Sequence, residues 1–137
     1  MRLAFTVAAL LLTTITARAG SYEEHDYILN CSGCHRMDGS GSSVVPSLRK
    51  MLELNAKPGA REYWIQVPGA AQAPLSNTRL AALMNWLVTR FTGKSPEPAY
   101  TANEVGQLRN APLRDPIARR SQIHGDGLAP ESVSLIR

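Results

Sequence analysis

Leu80, Leu83, Met84 and Leu87 recur at the i, i+3, i+4, i+7 spacing of one helix face, and they predict an amphipathic helix over Asn77 to Phe91. Ser76 stands where an N-cap belongs, and Gly93 is a stop signal just past the other end. Upstream, Ser21 and Glu24 form an S-x-x-E box opening a helix from Ser21 to Asn30, with Tyr27, Ile28 and Cys31 as its apolar stripe. His25 lies among charged residues there and reads as a solvated surface histidine. Ser47 to Leu54 predicts a short helix with Leu48, Met51 and Leu52 facing inward.

Between these elements the pattern breaks. Asp38 to Ser43 is a loop of Gly and Ser, and Pro58-Gly59 marks a turn. Arg61 to Val67 is a short segment holding Tyr63, Trp64 and Ile65, followed by small residues over Pro68 to Pro74 that predict a loop. After Lys94 comes a linker, Ser95 to Pro98. A second capping box, Thr101 with Glu104, opens a helix to about Arg109, and Asp115-Pro116 starts another ending near Gln122. Gly125 onward reads as a disordered terminus. The elements read along the chain are helices joined by loops, and the expected class is all-α. The stretch after Lys94 lacks a core of its own and must either wrap the preceding domain or float.

The amino terminus has a different character. Arg2, the apolar run Leu3 to Ile15 and the Ala17-Arg18-Ala19 site match an export signal, with the mature chain starting at Gly20. The competing reading is a retained anchor, but the run is short for a bilayer span. The expected division is therefore a signal peptide at 1–19, a domain at 20–93 and a Pro-rich extension at 94–137 with short helices. No later stretch is long enough to span a membrane, and the expected location is the periplasm.

Charge changes little. Removing Arg2 and Arg18 from the 15 basic residues leaves thirteen against 11 acidic ones. No basic stripe with interleaved aromatics occurs, so a nucleic-acid partner is not expected. A mild preference for an acidic protein surface is compatible with the balance. No Ser-His-Asp arrangement, carboxylate pair or glycine-rich phosphate loop suggests an enzyme.

The chemistry concentrates at Cys31-Ser32-Gly33-Cys34-His35, which holds both cysteines of the chain. C-x-x-C-H is the c-type haem attachment pattern. Two thiols at this spacing reach two vinyl groups on one porphyrin edge, and the adjacent imidazole swings under the ring to bind iron. A thioredoxin-like site would need a βαβ context, which is missing. A zinc site would need further ligands, and only His25 and His124 remain. A disulfide accounts for the cysteines and leaves His35 unexplained. Pro46 forces an extended approach on Val45 and can hold a backbone carbonyl near the haem, which would accept a hydrogen bond from the second nitrogen of His35 and fix its tautomer.

On these residues, with Pro46 and Leu48 and a last helix carrying an aromatic, Ser21 to Phe91 resembles the class I (mitochondrial-like) monohaem cytochromes c. The resemblance implies a small cytochrome c-like haem domain with a C-terminal extension. It also implies one haem c held by Cys31 and Cys34, with His35 as proximal iron ligand. The first and last helices would cross beside the haem, bringing Tyr27 near Leu83 and Trp86. Glu23 stands where the family has a small residue, which implies a wider crossing. The implied role is a periplasmic carrier of single electrons, meeting a redox partner such as a dehydrogenase or a terminal oxidase.

One departure concerns the sixth ligand. The family draws a methionine from the loop before the last helix, but Pro68 to Leu75 holds none, and the family position falls near Ala70. Neither alanine nor Gln72 is a strong iron ligand. Met37 follows His35 too closely to cross the ring, and Met51 lies on the Pro46 side, proximal in the family. Met84 reads as ordinary packing, and His124 reaches iron only if the tail folds across the distal face. The distal ligand is therefore unassigned. Two alternatives to the carrier stand: a haem module binding small ligands at a vacant sixth site, and an accessory cytochrome subunit of a dehydrogenase complex.

Overall fold

The Ser21 hydroxyl accepts the Glu24 N–H at 3.2 Å, satisfying one of the donors that the first helical turn leaves over. Helix α1 (Tyr22–Asn30) starts there. The computed structural model describes residues 20–125, so the expected export signal at 1–19 and the expected disordered end after Gly125 lie outside the described residues. After α1 come α2 (Ser32–His35), α3 (Leu48–Leu52) running into a 3₁₀ turn at Glu53–Ala56, α4 (Ala60–Gln66) and α5 (Pro68–Ala71). Then follow α6 (Asn77–Thr92), α7 (Ala102–Leu108) and α8 (Pro116–His124). The described chain is all-α, without strands.

α6 is the central element. Ser76 caps it through the Arg79 N–H, and Gly93 ends it with a left-handed φ of 73°. Leu80, Leu83, Met84 and Leu87, the expected stripe, are all buried, joined by Ala81 and Val88. They share one core with Tyr27 of α1, Leu52 of α3 and Tyr63, Trp64 and Ile65 of α4. Where α1 meets α6, the Tyr27 ring lies 5.8 Å from those of both Trp86 and Phe91. Asp26, only 3% exposed, is paired there with Arg79, whose Nε donates to Oδ2 at 3.0 Å. Of the expected α1 stripe, Tyr27 alone is fully buried; Ile28 is 43% exposed and Cys31 half-buried.

The small-residue segment differs from its expected form. Pro68 to Ala71 make a helical turn, closed by Ala71 N–H to Val67 O at 2.9 Å and Gln72 N–H to Pro68 O at 3.0 Å. Proline at the first helical position loses no hydrogen bond and arrives with the right φ, so the local chemistry favours the turn. Arg61 to Val67 likewise lies mostly in α4, entered through Gly59 at φ 79°.

Of the two expectations for the segment after Lys94, wrapping is what the structure holds. Thr101 and Glu104 complete both halves of their capping box, and Asp115 caps α8 through the Ala118 N–H. Tyr100, Val105 and Ile123 are buried in the same core as α6. Arg61 forks onto the Glu104 carboxylate, donates to the carbonyls of Pro98 and Ala99 at 2.7 and 2.9 Å, and stacks 3.9 Å from the Tyr100 ring centroid. Asn85 of α6 bonds both backbone groups of Tyr100, whose hydroxyl reaches Asn55 Oδ1 at 2.9 Å. No helix among the described residues is long and apolar enough to cross a membrane.

Candidate functional site

Cys31 closes α1, its N–H bonded to Tyr27 O at 2.9 Å, and α2 begins at the next residue. The N–H groups of Cys34 and His35 both return to the Cys31 carbonyl, at 3.2 and 3.0 Å. Residues three apart on a helical turn share a face, so the motif spacing brings the two cysteines to one side, with His35 beside them. Cys31 is half-buried against the core and Cys34 is exposed; neither is in a disulfide. Burial, reinforced by Asp26 and then Cys34, pushes the Cys31 thiol up to about 11. A thiol so held stays protonated, the opposite of a nucleophilic or disulfide-exchanging cysteine. Among the described residues no three His, Cys, Asp or Glu side chains gather into a metal-holding group, so an all-protein zinc site is not assembled.

His35 is half-buried, and its Nδ1 lies 3.1 Å from the carbonyl oxygen of Pro46. A carbonyl only accepts, so Nδ1 carries the proton and Nε2 keeps its lone pair. Burial lowers the imidazole pKa against the opposing pull of the Pro46 bond, which favours the neutral, ligating form. The loop between the two groups is drawn tight. Gly41 N–H donates to His35 O at 3.1 Å, and Gly39 O accepts from Leu48 N–H at 2.9 Å. Gly39 and Gly41 sit at φ 70° and 71°, and a Cβ on Gly41 would lie 2.3 Å from Val45 O. Only glycine takes both the conformation and the close approach.

A second observation bears on what the site could hold. The indole Nε1 of Trp64 is buried with no hydrogen-bond partner among the described residues, in the core cluster against which Cys31 packs. A buried N–H without an acceptor is costly, so a ligand's acceptor would relieve it. A flat apolar group bearing carboxylates, as haem does, matches an apolar cluster with one such donor. The residues present therefore fit haem: two cysteines one helical turn apart, an imidazole with its Nδ1 held by the Pro46 carbonyl, and an orphaned donor.

The residues weighed in the sequence as distal ligands are dispersed. Met84 is 5% exposed within the core, and Met37 is 57% exposed. Ala70 is half-buried and Gln72 exposed. His124 ends α8, its carbonyl accepting from Lys57 Nζ at 3.1 Å. The side chain of Met51 lies outside the described set. His25 is exposed, as expected. A separate cleft of about 510 Å³ opens at the α1–α6 crossing, lined by Tyr27, Trp86, Phe91, Met37 and Arg49 among others. Neither cysteine nor His35 lines it.

Sequence reasoning missed Asp26, Arg79, Arg109 and the Trp64 N–H. Each matters through a partner, or the lack of one, that no local pattern announces. Comparison with family models, with curated proteins and with solved structures finds no match.

Proposed function

We propose that the chain is an exported monohaem c-type cytochrome that carries single electrons between redox partners in the periplasm. The observation that carries this reading is the C-x-x-C-H turn with His35 Nδ1 held by the Pro46 carbonyl at 3.1 Å. That bond is the outer-shell partner a ligating histidine needs: it fixes the tautomer, orients the ring and makes Nε2 the better donor. Cys31 and Cys34 would each add S–H across one vinyl group, forming a carbon–sulfur bond with the proton going to the other vinyl carbon. The addition is redox-neutral. When bound, the haem supplies reversible one-electron chemistry at iron, its potential set by ligands and burial.

The chain's own residues supply the rest. The α1–α6 contact and the Gly39–Gly41 loop hold the motif rigid, so little reorganisation accompanies electron transfer. Trp64 N–H would donate to a haem carboxylate, satisfying a donor that is otherwise orphaned. The exposed side of Cys34 leaves the attachment edge open to a partner protein, of which a dehydrogenase or terminal oxidase is the expected kind.

A second reading has a specific observation behind it. The Pro68–Leu75 segment contains no methionine, and Met84 is committed to the core. A vacant sixth position would allow small molecules to bind iron. The tests separate the readings. Intact mass of the exported chain should equal the chain from Gly20 plus one haem. Cys31→Ala should leave one thioether at most, and ordinary two-bond attachment in that variant would sink the proposal. A low-spin spectrum unchanged by carbon monoxide supports the carrier; a high-spin spectrum that shifts supports the ligand-binding module.

A further inference from the structure

Arg36, directly after His35, has φ 62° and ψ 163° and is the one non-glycine residue at positive φ among the described residues. That region is essentially reserved for glycine, so an arginine stays there only when its surroundings hold it. Three hydrogen bonds hold it. Its N–H donates to Ser32 O at 2.7 Å, and its carbonyl accepts from Gly39 N–H at 3.2 Å and from the Tyr27 hydroxyl. The first two come from neighbouring chain that moves with Arg36. The third comes from a side chain 1% exposed, wedged between Trp86 and Phe91 of α6. Burial pushes the Tyr27 pKa up to about 12, so its hydroxyl remains a donor.

From Arg36 the hydrogen bonds run on to the residues that flank Pro46. Gly39 accepts from Leu48 N–H at 2.9 Å and from the Ser47 hydroxyl at 3.2 Å, and Ser42 N–H donates to Val45 O at 2.8 Å. The residues on either side of Pro46 are thus bonded to the loop that bonds to Arg36. We propose that the Tyr27 hydroxyl is a positioning group for His35: by pinning the strained Arg36 peptide to the α1–α6 frame, it holds the Pro46 carbonyl on Nδ1 and thereby aims Nε2. As a statement about iron ligation this rests on the function proposed above. The competing account is that Tyr27 merely fills the core, which its ring alone would do.

Tyr27→Phe keeps the ring and removes the hydroxyl. Arg36→Gly removes the conformational cost at φ 62° and with it the need for a clamp. The measurement is solvent exchange of the His35 Nδ1 proton by NMR in the purified full chain under reducing conditions, with the Val105 amide as a core reference. Losing one buried hydrogen bond should speed His35 exchange about five- to tenfold in Tyr27→Phe. Val105 exchange should change by less than about twofold, the usual limit for independent sites. Adding Arg36→Gly to Tyr27→Phe should bring His35 back towards the wild-type rate. Unchanged His35 exchange, equal acceleration at His35 and Val105, or no rescue by glycine would each overturn the proposal. Haem mass is read on the same samples: a chain without haem refutes the function above, while the exchange comparison still reads the clamp.

Discussion

Arg109, just past the end of α7, is the point at which the C-terminal extension grips the segment before α6. Its guanidinium donates to Ala71 O from Nε at 3.0 Å and from Nη2 at 2.9 Å, and to Ala73 O at 2.7 Å. It also donates to Leu75 O at 2.7 Å and Asn77 Oδ1 at 3.2 Å. Replacing it with methionine keeps the stem but takes the charged donor from three carbonyls, of which Ala73 O alone keeps a backbone donor among the described residues, the Leu75 N–H at 2.7 Å. A hydrogen bond to a charged group contributes about 1.5–3 kcal/mol net, so three acceptors at the lower bound give roughly 4.5 kcal/mol. Arg109 is only half-buried, and water reaching the vacated site would return part of that. The expected loss is about 3 kcal/mol. In a domain of this size that corresponds to a fall in Tm of roughly 15 °C. Arg109→Lys keeps the charge but not the planar fork, and should recover about 1 kcal/mol. The assay is denaturant unfolding of the purified full chain, fitted with a common m value across the variants. A loss below about 1 kcal/mol in Arg109→Met would refute the reasoning, because water alone would then satisfy those carbonyls.

Three further outcomes follow from the same geometry. Trp64→Phe should lower the stability of the purified protein by about 1–2 kcal/mol if, as proposed, the indole N–H meets a haem carboxylate; an unchanged or raised unfolding midpoint would mean that it has no acceptor. The Arg61 hydrogen bond holds the Glu104 carboxyl below its ordinary 4.5, so its stabilisation is complete above that value and lost as pH falls through the lower, folded one. The stability gap between wild type and Glu104→Gln should accordingly be widest near neutrality and shrink in acid; a gap that widens in acid contradicts the assignment. Arg79→Met strands the buried Asp26 carboxylate and should cost about 2–3 kcal/mol, most of it recovered when Asp26→Leu is added. An additive double mutant, read from the same denaturant titrations, would show that the pair is not coupled.

What could be read in one dimension is what one turn of chain decides. Ser21, Ser76, Thr101 and Asp115 cap helices because a side-chain oxygen satisfies an N–H three residues on, a relation wholly contained in the sequence. The Leu80–Leu87 stripe is buried as its periodicity predicts. C-x-x-C-H brings two cysteines to one side of a helical turn by spacing alone, and a backbone carbonyl meeting His35 could be anticipated from the extended approach that Pro46 forces, though which carbonyl it is came from the structure. The Pro68–Ala71 turn was obscured by its small residues, which suggest a loop, although proline at its start permits a helix.

The tertiary structure decided everything that depends on partners far apart in the chain. Arg79 finds Asp26 across 53 residues, Arg61 finds Glu104 across 43, and Arg109 reaches back 38 to Ala71. An exposed charge and one destined for a buried fork look alike in sequence, since the difference lies in which surfaces meet. For the same reason the extension after Lys94 could be expected either to wrap or to float. Tyr100, Val105 and Ile123 form too small an apolar set to fold alone, and only the α4–α6 surface supplies the rest of their core. The Trp64 N–H became informative once burial was known, because an unpaired donor has meaning only where water does not reach it.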